Sequence, residues 1–373
     1  MAERLLWIVT ALELVLAFGI GLGISMLGLE GGAWILGGIA AGAIVFLVYR
    51  RFYAPEAAPN RRARKLGQLI IGLSIGLSLQ HSNFQTLASQ LPVFLGLPLV
   101  LMLSGGVIGL LYAQIERTDL LTAMLATTPG NIGVMASMAA DYGKNPALVS
   151  LVQLLRFTAV IFVMPIIANV SVPHASVPIV QRLMELFSVD SLKLLSSSLV
   201  FGVALLAVYL GSKINIPIAA FFCSILVGLL FDLASVLVTP DVINFSLPPI
   251  VTVVGQILLG VTIGEYWAVN PVLNLITIVS AAIPVAMTFF TSLMAAGMIK
   301  LLTPWDWLTC LLVSAPGGSP EMIWIALALH HDVEIVTAGH LVRLLTINLS
   351  LPLLVSLASS WERRRMPQSE LVD

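Results

Sequence analysis

The sequence predicts an all-α polytopic membrane protein, and three observations predict it. Of 373 residues, 58% are hydrophobic and only 10% charged, with a mean hydropathy of +1.02, whereas a soluble domain carries about 25% charged residues. Too little polar surface remains to cover such a core in water, so lipid is the natural solvent. The apolar residues fall into about twelve helix-length runs, and the basic residues cluster at a few places between them.

A spanning helix needs ~20 mostly apolar residues. Candidate runs lie near 5–28, 33–49, 66–80, 91–114, 120–141 and 146–169, then near 193–211, 216–237, 249–267, 272–299, 305–329 and 333–358. Ten to twelve of these hydrophobic segments are full spans. The positive-inside rule orients them. Arg50, Arg51, Arg61, Arg62, Arg64 and Lys65 follow the second run, and Arg363, Arg364 and Arg365 lie in the tail. Both clusters place the termini in the cytoplasm of a multi-pass bacterial inner-membrane protein. Twelve crossings leave only Lys144 and Lys213 as outside basic residues in connecting loops. Glu3 and Arg4 lead into a run too long and glycine-rich for a signal peptide, so no cleavage is expected. Tyr49 and Trp361 are expected as interfacial anchors.

The chain matches itself. Asp119 pairs with Asp306, Pro129 with Pro316, Gly130 with Gly317, Met135 with Met322, Arg156 with Arg343 and Pro165 with Pro352, all at an offset of 187. Upstream, Gly67-Gln68, Gly72 and Gly76 match Gly255-Gln256, Gly260 and Gly264 at 188. These positions imply a first membrane repeat over 1–170, a linker with an amphipathic surface helix over 171–192, a second repeat over 193–360 and a cytoplasmic tail over 361–373. Internal repeats in so hydrophobic a chain point to a secondary transporter. Six crossings per half make the repeats parallel, and five make them inverted. Loop charge favours full spans, and hydropathy allows either.

Each repeat interrupts an apolar segment with Pro-Gly. The first reads ATTPGNIGVM and the second VSAPGGSPEM. Asp119 and Asp306 each precede their Pro by ten residues, or ~15 Å of helix, about half of a ~30 Å hydrocarbon core. With each Asp as an N-cap at an interface, both breaks fall near the midplane. There Pro129, Gly130, Asn131, Pro316, Gly317, Gly318 and Ser319 offer freed amides with the positive end of a half-helix behind them. A simple proline kink is the alternative, and two breaks in register argue against it.

Arg156 and Arg343 lie at similar depth, each three residues after a polar partner, Gln153 or His340, and so on one face with it. A buried charge at that depth needs a partner or a cavity. Two arginines beside two half-helix N-termini suit a carboxylate or phosphate. The alternative partners are internal: Glu321, Asp141 or Asp332. Only the second break carries a carboxylate, which makes Glu321 the candidate for coupling. Gln68 and Gln256 serve packing or substrate.

These residues resemble the AbrB-type bacterial membrane family, which carries a duplicated domain. The matching block is Pro316-Gly317-Gly318-Ser319-Pro320-Glu321-Met322, followed by His340, Arg343 and Pro352. The first copy departs at Asn131 and Val134. Members carry labels of ammonia monooxygenase or transcriptional regulator. The resemblance also implies kinship with cation–proton antiporters and anion transporters, and with it inverted repeats and crossed broken helices. A copper monooxygenase needs a compact His cluster, and a DNA-binding regulator needs a basic soluble domain.

Neither is visible in the sequence. The net charge of −1 points to no nucleic-acid partner, and no P-loop marks an ATP-driven pump. Cys223 and Cys310 are expected as buried free thiols. His330, His331, Asp332 and Glu334 sit at a helix end where polar residues belong, so no metal or cofactor is expected. The leading expectation is a transporter, not an enzyme, that moves a small anionic or zwitterionic solute by alternating access. A membrane sensor acting on gene expression through a bound solute or a partner stands as the alternative. The lipid bilayer is its surroundings, and the sequence leaves room for H+ or Na+ coupling and for a homodimer.

Overall fold

The computed structural model describes residues 2–27, 32–79, 84–130, 132–171, 179–187, 191–214, 216, 218–236, 245–269, 275–329 and 331–365. Every regular element among them is a helix: α1 (Ala2–Met26), α2 (Ala33–Phe52), α3 (Arg61–Ser78), α4 (Phe84–Ser89), α5 (Leu91–Ile115), α6 (Leu120–Thr127), α7 (Ile132–Asp141), α8 (Pro146–Ser171), α9 (Ile179–Phe187), α10 (Ser191–Lys213), α11 (Ala219–Val236), α12 (Pro249–Val269), α13 (Leu275–Leu302), α14 (Trp307–Ser314), α15 (Ser319–Ala328) and α16 (Val333–Arg365). Six are long and apolar enough to cross a membrane among the described residues, with α10 and α11 as shorter apolar helices. The protein is an all-α polytopic membrane protein.

The ends follow local chemistry. Asn60 accepts from the amides of Arg62 and Ala63, so α3 starts ahead of its apolar run. The runs near 120–141 and 305–329 each divide in two at their Pro-Gly. By contrast Pro98, Pro165 and Pro284 stay inside α5, α8 and α13.

The chain forms two compact units that cut across the expected halves. The first holds Met1–Asn83, Ile161–Pro271 and Ser319–Glu334, and the second holds Phe84–Val160, Val272–Gly318 and Ile335–Asp373. In the first unit α2 packs on α12 and α3 on α11, so each half lends a helix to the other. Glycines set these distances. A Cβ on Gly72 would lie 2.6 Å from the Phe221 carbonyl oxygen, and one on Gly264 would collide with that of Ile39. Such close approach needs residues without side chains.

The same contacts fix helix direction. Gly67 lies against Leu258 and Leu259, while Ile71 lies against Gly255, so α3 and α12 run antiparallel. In the second unit Phe94, near the start of α5, stacks on Trp305, just past the end of α13, with ring centroids 5.5 Å apart. These two helices are therefore antiparallel as well. The helices that carry the matched Gly-Gln motifs, α3 and α12, thus run in opposite directions.

The first broken segment turns back. The Lys144 ammonium after α7 lies 3.2 Å from the Asp119 carboxylate before α6. The Asn145 amide donates to the Thr122 hydroxyl at 3.3 Å. For this first segment, it corrects the preference for full spans that loop charge suggested. Lys144 is engaged with Asp119 and so is a poor marker of membrane side. Tyr49 is buried, against Phe46 and Tyr53.

Candidate functional site

The site grows from two eight-residue half-helices of the second unit, α6 and α14. Asp119 accepts from the Thr122 amide at 2.8 Å, and Asp306 accepts from the Thr309 amide at 2.8 Å. Each helix then stops at an extended residue, Thr128 (φ −64°, ψ 132°) or Ala315 (φ −50°, ψ 132°). Its last carbonyls are left without helical donors.

Side chains from α8 and α16 supply those donors, and in the same way. The Gln153 amide donates to the carbonyls of Leu125 at 2.8 Å and Thr128 at 2.9 Å. His340 Nε2 lies 2.9 Å from the Leu312 carbonyl oxygen. Arg156 donates to the Thr127 carbonyl at 3.0 Å and to Gln153 Oε1 at 2.5 Å. Arg343 donates to the Ala315 carbonyl and, at 2.6 Å, to His340 Nδ1. Because a guanidinium only donates, His340 Nδ1 accepts and the Nε2 proton faces Leu312. Two hydroxyl contacts recur at the same offset. Thr127 donates to the Gly105 carbonyl at 2.9 Å, and Ser292 donates to the Ser314 carbonyl at 2.7 Å.

The second unit thus gathers Pro129, Gly130, Pro316, Gly317, Gly318, Gln153, Arg156, His340 and Arg343. Asn131 lies outside the described residues. Gly318 turns the second break with φ 65°, a conformation that glycine adopts without strain. A Cβ on Gly317 would lie 3.9 Å from Arg156 Nε, so an arginine of the first half meets the break of the second. The arginines differ from expectation in one respect. They sit at the C-terminal, electronegative ends of α6 and α14, where carbonyls attract a cation. Of the internal partners considered, Asp141 and Asp332 are exposed.

Buried polar atoms of this unit without a hydrogen-bond partner among the described residues include Arg156 Nε, Thr128 Oγ and Thr337 Oγ. Sequence reasoning passed over both threonines, although Thr128 directly precedes a singled-out proline. Arg156 and Arg343 are each 2% exposed, and the charge of Arg343 acts on Arg156.

Ser319, Glu321, Gln68 and Gln256 belong to the first unit. Ser319 opens α15, which packs on α3, and Glu321 is buried with Oε2 unpartnered. Gln68 and Gln256 are buried too. The Gln256 side chain lines a cavity of about 450 Å³ with Ser74, Thr252 and Trp324, and its Oε1 has no partner. Among the described residues no three His, Cys, Asp or Glu side chains converge as metal ligands. Cys223 and Cys310 are buried free thiols.

The sequence profile described as Transition state regulatory protein AbrB matches residues 34–359. The uncharacterized protein YhjN of Bacillus subtilis (strain 168) is 28% identical over 311 residues, 79% of this chain and 78% of its own. A provisionally named regulator, AbrB, of Escherichia coli (strain K12) is 26% identical over 310 residues, 82% of this chain and 85% of its own.

Proposed function

The chain belongs to the AbrB family, and from that premise we propose that it is a secondary transporter of a small anionic or zwitterionic solute. It works by alternating access in the bacterial inner membrane, with both termini cytoplasmic and H+ or Na+ as coupling ion. The solute binds at the two Pro-Gly breaks of the second unit.

One observation carries this reading: two buried guanidiniums, Arg156 and Arg343, share one unit, and Arg156 Nε is unpartnered. The partners described for Arg156 are a carbonyl and an amide oxygen, both neutral. Burying like charges costs several kcal/mol per ion unless an opposite charge accompanies them. A carboxylate or phosphate supplies that charge and matches the planar fork of arginine. Interrupted helices near mid-depth are tolerated where they are buried or line a cavity, as in transporters.

The test is uptake of labelled carboxylates, phosphates and zwitterions into proteoliposomes, with and without ion gradients. Gradient-dependent accumulation of one class, lost in Arg156→Gln and Arg343→Gln, is the expected result. The regulator name of the Escherichia coli relative favours a second reading, a membrane sensor that binds the same solute. Saturable binding with no uptake under any gradient would select the sensor. Transport unchanged in both variants would reject the arginine site.

A further inference from the structure

Glu13 in α1 and Glu265 in α12 are both fully buried in the first unit, at 0% exposure. Glu13 stands on a buried stripe with Val9, Thr10 and Ala17, while Leu12 and Val15 on the opposite side are exposed. Both carboxylate oxygens of Glu13, and Oε1 of Glu265, have no hydrogen-bond partner. Glu265 Oε2 accepts from the Asn60 amide at 2.7 Å. The Asn60 side chain donates to the Thr10 hydroxyl at 3.0 Å, and that hydroxyl donates to the Leu6 carbonyl. A polar chain therefore runs from one acid toward the helix of the other.

The charge that acts on Glu13 is that of Glu265, which is of the same sign. The basic groups of the elements packed around the pair are engaged elsewhere or exposed. Arg50 of α2 donates to the Pro55 and Ala268 carbonyls, and Arg64 of α3 lies over the Tyr266 ring at 6.0 Å. Arg51, Arg61, Arg62 and Lys65 are exposed, and so is Glu185 of α9. The side chains of Glu3 and Arg4 fall outside the described residues. Nor does packing demand an acid here. At the offset of 188 that matches Gly264 to Gly76, Glu265 corresponds to Leu77, which is also buried. Two anionic carboxylates that share a single described donor, the Asn60 amide, are costly at such burial.

We propose that Glu13 and Glu265 form a proton-binding site, a carboxyl pair that takes up and releases one H+. The proton comes from water and bonds to a carboxylate oxygen; its release restores the anion, and no other bond changes. The site does not depend on the arginine centre, and its test needs no solute, so either proposal can fail alone.

The experiment is infrared difference spectroscopy of the full chain in nanodiscs, titrated with acid and base in sodium and in choline buffers. The expected result is a protonated-carboxyl C=O band that titrates alike in both salts. It disappears in Glu13→Gln, shifts in Glu265→Gln and persists in Glu321→Gln, with all variants monodisperse. A band unchanged in Glu13→Gln would overturn the proposal, as would its loss in Glu321→Gln. A band suppressed by sodium but not choline would overturn it in favour of a metal-cation site.

Discussion

Lys144 lies 3.2 Å from Asp119, although a helix, a Pro-Gly break and a second helix separate the two residues. The contact makes α6 and α7 a hairpin that enters and leaves on one side. In a background lacking Cys223 and Cys310, a cysteine at position 118 and one at 144 should react with an impermeant thiol reagent from the same membrane face. Labelling from opposite faces would restore a full span.

Asp119 links this hairpin to pH. Burial raises its carboxyl pKa, but the Thr122 hydroxyl and amide and the Lys144 ammonium outweigh burial and hold it below the usual carboxylate range. A group lowered in the folded state adds stability above its unfolded value of ~3.9, and that stability fades as pH falls through the folded value. Asp119→Ala should therefore cost about 1 kcal/mol at neutral pH, as for other helix caps. In thermal melts its gap to the wild type should narrow below pH ~4. A gap that stays constant with pH would rule out the ionised cap.

Glycine contacts in the first unit predict position-specific damage. Gly72→Val and Gly264→Val should destabilise by at least about 1–3 kcal/mol, because backbone oxygens of Phe221 and Ile39 occupy the space. Gly297→Ala, with nothing within 4 Å, should melt like the wild type. Equal melting of all three would contradict the close packing.

Gln153 and His340 do one job in two places, each serving a carbonyl of a half-helix end. His340→Gln should keep a folded protein, because a glutamine already does this work at 153. His340→Ala should lose about 1–3 kcal/mol by leaving the Leu312 carbonyl unpaired. The check is the melting temperature of both variants in one detergent, and equal losses would refute the shared role.

The breaks were legible because Asp, Pro and Gly act locally, and their matched positions marked one motif used twice. Hydropathy could not separate a hairpin from a span, since both bury the same apolar residues. The Asp119–Lys144 contact that decides it is long-range. The pairing of Arg156 with Gln153 and of Arg343 with His340 was readable from their spacing, but not which end of a half-helix they meet, because that depends on the direction of the neighbouring helix. Glu13 and Glu265 were overlooked although the signal was plain: a lone acid inside an apolar run marks a functional candidate by default. The mixing of halves in each compact unit has no local signature, because it rests on glycine contacts between distant helices.

The account rests most heavily on an anion at Arg156 and Arg343. Thermal stabilisation of the purified protein by a panel of carboxylates, phosphates and amines tests this most directly. One anionic class should raise the melting temperature of the wild type and leave folded Arg156→Gln and Arg343→Gln unchanged. Stabilisation by cations instead, or an undiminished anion response in both variants, would contradict it.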